Sequence, residues 1–289
     1  MPELAPPPGL AVVAFGLLSA ASWGAGDFGG GLTSRRAPLL GVTLFMQLVG
    51  MIIVLGLWVA IGEALPGPGD IAWSALAGVI GAIGIAGLYH ALSVGKMSVV
   101  APVTGVLGAS IPVVVWIALE GWPPPLVVLG IGLALAAVVL VSVVAEGGHV
   151  GPSGLPYALL AGLGIGLFAV VISKVGDGLL FGPLFVVRLV EVVLFAIVII
   201  VARRPWRLPR HTWGPVLVVG ALDMGGNAFF IAAIQTGALA IAGVLGSLYP
   251  VVTVILAALV LRERIGGIHA VGIGAAALAI ALIAGGSAG

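Results

Sequence analysis

The sequence predicts an all-α integral membrane protein of ten transmembrane helices, arranged as two inverted five-helix repeats. Composition is the first reason: of 289 residues, 61% are apolar and only 7% are Asp, Glu, Lys or Arg, and mean hydropathy is +1.32. Such a chain has too little polar surface to solvate a globule and needs lipid as its solvent. The second reason is that the apolar residues fall in ten runs, each near the roughly 20 residues a helix needs to cross about 30 Å of hydrocarbon. Continuous runs, without alternation, exclude a barrel and leave helices. The third is an echo: the last five runs resemble the first five about 142 residues later. An odd number of crossings per copy makes the second copy enter from the opposite face, the inverted-repeat plan of secondary transporters.

Span 1 covers 10–31. The preceding Met1 to Gly9 carries Glu3 and four prolines but no Lys or Arg, so it lacks the charged region of a cleavable signal peptide and the first run is expected to be retained. Span 2, 38–61, holds Gln47. Pro66-Gly67-Pro68-Gly69 then turns the chain into span 3, 71–94, where Gly78, Gly81, Gly84 and Gly87 recur every three residues and strip one side of bulk. Close packing of neighbouring helices explains that stripe; the general abundance of glycine in membrane helices is the plainer reading. Span 4, 98–119, contains Pro102 and Pro112, and Pro123-Pro124-Pro125 leads into span 5, 125–145. Gly147-Gly148 and Gly151-Pro152 separate the expected repeats, 10–145 and 155–286. Spans 6 to 10 follow at 155–173, 181–202, 213–235, 238–261 and 267–286, with Gly266-Gly267 before the last. No connection is large enough for a soluble domain. The repeat is clearest where Leu129-Gly130-Ile131-Gly132 lies over Val271-Gly272-Ile273-Gly274, and where Ala91-Leu92 and Gly95 fall on Ala233-Ile234 and Gly237. Trp58, Trp73, Trp116, Trp122, Trp206 and Trp213 stand near span ends and read as an interfacial belt.

Four charges lie inside spans: Asp27, Arg188, Glu191 and Asp223. A charge at bilayer depth costs at least roughly 2.5–3.5 kcal/mol, so each is expected to face a cavity or a partner. Arg188 and Glu191, three apart on one helix, can pair; the rival role for Arg188 is an anchor for a carboxylate-bearing substrate. Asp223 and Asn227, four apart with Gly225 and Gly226 between them, form the best candidate for a polar cavity wall. Ser19, Trp23 and Asp27 make a similar stripe on span 1, with a plain interfacial carboxylate as the other reading of Asp27. His90, beside Tyr89, could carry a proton because its reference pKa is near neutral, or it is a hydrogen-bonded core residue. Gln47 is helix glue or cavity lining. Pro102, Pro112 and Pro250 are expected to break spans 4 and 9, since each removes a helical hydrogen bond, and matched breaks point to a transporter's site; simple kinking is the alternative. Ser110, Ser247, Tyr249 and Thr253 lie near those breaks. Glu120 and Glu263 read as solvated helix ends.

At Tyr249-Pro250-Val-Val-Thr253, Leu261-Arg262-Glu263-Arg264 and Gly272, the chain resembles the EamA family within the drug/metabolite transporter superfamily, and Ser22-Trp23-Gly24 is similar to that family's opening. The match in the first half, Ser98 to Pro102 through Pro112 to Glu120, is looser, with Leu107 or Gly108 where the second half has Tyr249 or Pro250. The resemblance implies ten helices, a cavity lined by spans 1 to 4 and 6 to 9, and spans 5 and 10 at the periphery. It also implies termini inside. The charges point the other way: Arg35, Arg36, Lys96, Arg203, Arg204, Arg207, Arg210, Arg262 and Arg264 fall in loops on one face against Lys174 on the other, and the positive-inside rule makes the arginine-rich face cytoplasmic.

These features lead to the expectation of a secondary active transporter in the cell membrane, a proton-coupled exporter of a small metabolite, amino acid or drug-like solute working by alternating access. Trp23, Gln47, Tyr89, Arg188, Asp223, Asn227, Ser247 and Tyr249 are the candidate substrate contacts. Asp27, His90, Glu191 and Asp223 are the candidate proton carriers. Uptake or facilitated exchange by the same fold is the near alternative. A membrane-embedded enzyme is disfavoured: zero cysteines remove thiol chemistry and thiolate metal sites, and H-E-x-x-H, G-x-S-x-G and Walker A sequences are absent. A channel is disfavoured for want of a filter-like loop. The expected partners are a small-molecule substrate and the lipid bilayer, with no nucleic acid and no cofactor, in a monomer or homodimer.

Overall fold

The computed structural model describes residues 8–34, 36–94, 97–143, 155–236, 239–261 and 267–287. Arg35, Lys96, Arg262, Glu263 and Arg264 lie outside these residues, as do the side chains of Tyr89, Pro102 and Glu120. The described residues fold mainly into helices and contain no strand: α1 (Pro8–Ser34), α2 (Leu39–Ile61), α3 (Pro68–Val94), α4 (Met97–Glu120), α5 (Pro125–Val143), α6 (Leu155–Ile172), α7 (Phe181–Val201), α8 (Trp213–Thr236), α9 (Leu239–Gly246), α10 (Tyr249–Leu261) and α11 (Gly267–Ser287). By length and composition, α1–α3 and α6–α8 can each cross a membrane; shorter apolar stretches occupy α4 (Thr104–Leu119), α5 (Pro125–Leu140), α9 with α10 (Ile241–Thr253) and α11 (Ala270–Ala279). The outer surface is apolar, with Val59, Ile200 and Val201 among its most exposed side chains, as expected where lipid is the solvent.

The helices pair across the two halves of the chain. α1 packs on α8, α9 and α10; α6 packs on α3 and α4; α2 lies on α7, α4 on α9, and α5 on α11. The glycine stripe of α3 is a packing device. A Cβ on Gly78 would stand 2.9 Å from the Val187 carbonyl oxygen, one on Gly84 would stand 3.2 Å from the backbone of Gly164, and one on Gly87 would stand 3.3 Å from the Tyr157 carbonyl oxygen. α3 therefore rests its bare side on α7 at one end and on α6 at the other.

The ninth span is broken and the fourth is not. α9 ends at Gly246 and α10 starts at Tyr249. Pro250 lacks the amide that would return to Gly246, and the junction is held by Leu248 N donating to Leu245 O at 3.2 Å, Val251 N to Leu248 O at 3.0 Å, and the Ser247 hydroxyl to Val244 O at 2.8 Å. In contrast, α4 runs unbroken through Pro102 and Pro112, correcting the expectation of matched breaks. One missing amide does not end a helix that its neighbours hold. The Gly108 carbonyl, which Pro112 cannot satisfy, faces Gly166 of α6 so closely that a Cβ there would lie 3.2 Å from it.

At the end of the bundle shared by α2, α3, α6 and α7, two carboxylates tie the halves together. Glu63 accepts from the amides of Leu180 (2.9 Å), Phe181 (3.0 Å) and Gly182 (2.8 Å) at the start of α7, where the orphan donors and helix dipole favour an anion. Asp70 accepts from Gly67 (3.1 Å) and from Gly176 (3.0 Å) of the α6–α7 loop. Trp73, Trp122, Trp206 and Trp213 are exposed, in keeping with an interfacial belt.

Candidate functional site

A cavity of about 120 Å³ lies among α1, α3, α4, α6, α7, α8 and the α9–α10 junction. Its charged wall begins on α7. There Arg188 and Glu191 are 1% and 2% exposed and, one helical turn apart, pair through Nη1 and Oε2 at 2.8 Å. The same Nη1 donates to Gln47 Oε1 of α2, and Gln47 Nε2 donates to Glu191 Oε2 at 2.8 Å. Nη2 reaches Asp223 Oδ2 of α8 at 2.5 Å. Three charges and an amide from three helices thus close on one another. Breaking such a buried group from one side leaves an uncompensated charge, so it acts as a unit. Gly50 makes room for it: a Cβ there would lie 3.3 Å from Arg188 Nε, an atom with no hydrogen-bond partner among the described residues.

On α8, Asp223, Asn227 and Phe230 follow at helical spacing and all face the cavity. Asn227 Nδ2 donates one of its two hydrogens to the Asp223 carbonyl at 2.8 Å, which fixes the amide and leaves Oδ1 and the second N–H for the cavity. The two glycines between them differ. Gly226 takes the Trp23 indole directly against it, whereas a Cβ built on Gly225 would meet only ordinary contacts, Ser22 Oγ at 3.7 Å and Phe229 Cε2 at 4.0 Å. Trp23 also lies 5.4 Å from the Phe230 ring, centroid to centroid. Ser19 Oγ donates to Gly226 O at 2.9 Å. The Ser19–Trp23–Asp27 stripe therefore packs on α8 and brings Asp27, half-buried, into the cavity wall. α1 continues past it to Ser34.

The broken span supplies Gly243, Ser247 and Tyr249 to the wall. Thr253 donates to Tyr249 O (3.1 Å) and to Gly24 O of α1 (3.0 Å), and a Cβ on Gly24 would strike that same Tyr249 carbonyl at 2.5 Å. The Tyr249 hydroxyl is buried and has no partner among the described residues. Pro112 and Pro250 sit where α4 crosses this span, Pro112 Cβ 3.1 Å from a Cβ built on Gly243 and Pro250 Cγ 3.9 Å from one built on Gly105.

The structure brings Trp23, Asp27, Arg188, Glu191, Asp223, Asn227, Ser247 and Tyr249 to one cavity. Gln47 stands behind the wall, bonded to it. His90 is exposed on the outer face of α3, its ring 4.2 Å from that of Tyr157, away from the cavity. Ser110 bonds back to Val106 O at 2.6 Å. Sequence reasoning missed Phe168, Thr104 and Phe230 as wall residues. Phe230 was within its reach, being on the face already marked by Asp223 and Asn227. Thr104, whose hydroxyl lies 3.4 Å from Ala158 O, and Phe168 had no signal beyond their position in an apolar run.

Residues 152–285 match the model of the EamA-like transporter family. The whole chain is also similar to a solved protein described only as "Crystal structure of protein", at 19% sequence identity and a TM-score of 0.73, with 96% of each chain covered. At that identity the likeness shows the fold alone. No curated protein matches the sequence.

Proposed function

From the match of residues 152–285 to the EamA-like transporter family, a family of the drug/metabolite transporter superfamily, we propose that this multi-pass membrane protein is a secondary transporter exporting a small metabolite, amino acid or drug-like solute. Two inverted five-helix repeats, 10–145 and 155–286, with α9 and α10 together forming the ninth crossing, alternate access to the central cavity while protons move in the other direction. The helix pairing supports the repeats. Exchanging each span with the one five later turns the α1–α8 contact into α6–α3 and α1–α9 into α6–α4, and maps α2–α7, α4–α9 and α5–α11 onto themselves; all of these contacts are present.

The observation that carries the reading is the Arg188–Glu191–Asp223–Gln47 cluster on the wall of a cavity between the halves. Ionisable groups buried at mid-helix in a membrane protein mark substrate and proton paths. Arg188 organises the carboxylates, while Asp27, Glu191 and Asp223 are the proton-bearing candidates that face the cavity. Export in a monomer or homodimer of the cell membrane is the form we propose; uptake by the same fold is the near alternative.

A growth-resistance screen across amino acids, nucleosides and toxic analogues tests this. Cells expressing the protein should tolerate at least one compound better than cells expressing Asp223→Asn at equal abundance. Resistance that is identical for the two, across all compounds, would remove Asp223 from the mechanism; a flux in proteoliposomes untouched by collapsing the proton gradient would remove the coupling.

A further inference from the structure

We propose that the cavity takes a cation, an ammonium-bearing solute whose charge sits at Asp27 and is received by Asn227 Oδ1 and the Tyr249 hydroxyl. The inference deepens the transporter reading by naming its substrate class, and it rests on that reading only for the cavity's being where the solute goes. Among the described residues the cavity wall holds three carboxylates, Asp27, Glu191 and Asp223, and one guanidinium, Arg188. Both Nη atoms of Arg188 are engaged, Nη1 with Glu191 and Gln47 and Nη2 with Asp223, and its unpartnered Nε lies against Gly50 of α2. Asp27 is left without an ion pair or hydrogen bond among those residues. It lies at the level of Asp223, since a Cβ on the adjoining Gly26 would stand 3.7 Å from the Asp223 backbone nitrogen. A lone carboxylate beside another, within an apolar bundle, is stabilised by a positive charge.

The surrounding polar atoms agree with that sign. Asn227 is 8% exposed; one of its two amide hydrogens goes to the Asp223 carbonyl, and its Oδ1 is an acceptor that an ammonium can use. The Tyr249 hydroxyl is buried and unpartnered among the described residues. Trp23, Phe168 and Phe230 add aromatic rings to the wall, and a ring face attracts a desolvated cation. An anionic solute would meet three carboxylates and find the guanidinium's two Nη atoms occupied.

The test is binding, measured on the purified full-length protein in detergent, with n-butylammonium, 1-butanol and butyrate as size-matched cation, neutral and anion. n-Butylammonium is expected to bind and raise the melting temperature, with the other two weaker by roughly tenfold or more, the worth of a charge-assisted hydrogen bond. Asp27→Asn should weaken n-butylammonium by roughly 10- to 100-fold and Tyr249→Phe by about fivefold, while Asp27→Glu should restore part of the loss. Equal or tighter binding of 1-butanol or butyrate, no binding of n-butylammonium, or wild-type affinity in Asp27→Asn would each overturn the proposal. If Asp27→Asn does not fold, the three probes on the unaltered protein decide the matter alone. Cation binding without flux in proteoliposomes would leave this proposal standing and remove the transporter reading; flux of a neutral or anionic solute without cation binding would do the reverse.

Discussion

Arg188→Leu is expected to destabilise the protein by about 3–5 kcal/mol, the largest loss from any single change at the site. The substitution removes the one cation that Glu191 and Asp223 share and strands Gln47, leaving two carboxylates in a wall where Glu191 is 2% exposed. Thermal melting of the purified protein in detergent measures it, and membrane abundance should fall with it. Arg188→Lys should fall between the two, because an ammonium keeps the charge but cannot reach Gln47, Glu191 and Asp223 at once as a planar fork does. The triple change Arg188→Met, Glu191→Gln and Asp223→Asn removes all three charges together and should recover most of the stability, since a buried ion group often breaks even against neutral replacements. Transport should not recover with it. A triple variant as unstable as Arg188→Leu would mean that shape, and not charge balance, holds α2, α7 and α8 together.

Gly164→Ala is expected to cost about 1–3 kcal/mol, and Gly164→Leu more, by overpacking. A Cβ at Gly164 would lie 2.7 Å from Gly84 Cα, 3.0 Å from Gly84 N and 3.3 Å from Ile80 O. All three are backbone atoms of α3, so no side-chain rotation relieves the clash and α6 must move off α3. Both helices line the cavity, so the displacement should also lower transport. Gly132→Ala is the control: nothing lies within 4 Å of its Cβ, and it should change stability by less than about 1 kcal/mol. The same melting measurement on the three variants distinguishes close packing from a general intolerance of side chains in these helices.

Helix ends that lie within the described residues were legible in the sequence because the bilayer's thickness and the turn residues set them: α2, α7, the start of α3, the end of α4, the start of α5, the end of α6 and the start of α8 fall within three residues of their expected places. Close approach at the α3 glycines was legible too, since a period of three leaves one side bare. The i, i+3 pairing of Arg188 with Glu191 followed from helical geometry. That Asp223 and Gln47 join them did not, because contacts between helices are not written in local spacing. One signal pointed there: Gln47 and Arg188 are 141 residues apart, near the repeat offset, and lie on spans that pack on each other. Span 4 was misread for a different reason. Proline reports a lost amide, but whether the helix breaks depends on what packs against it, and the close approach of Gly166 to Gly108 could not be seen from either span alone.

Alternating access requires that the cavity between the two halves open to each side of the membrane in turn. The chain has no cysteine, so a single Ser247→Cys substitution, on a wall residue only 8% exposed, places one thiol in the cavity. Modification by a membrane-impermeant thiol reagent, applied separately to the outside of right-side-out and inside-out vesicles, reads its access from each face. Alternating access predicts labelling from both faces, slowed on both by whichever compound the resistance screen identifies. Labelling from one face only, with or without that compound, would contradict it.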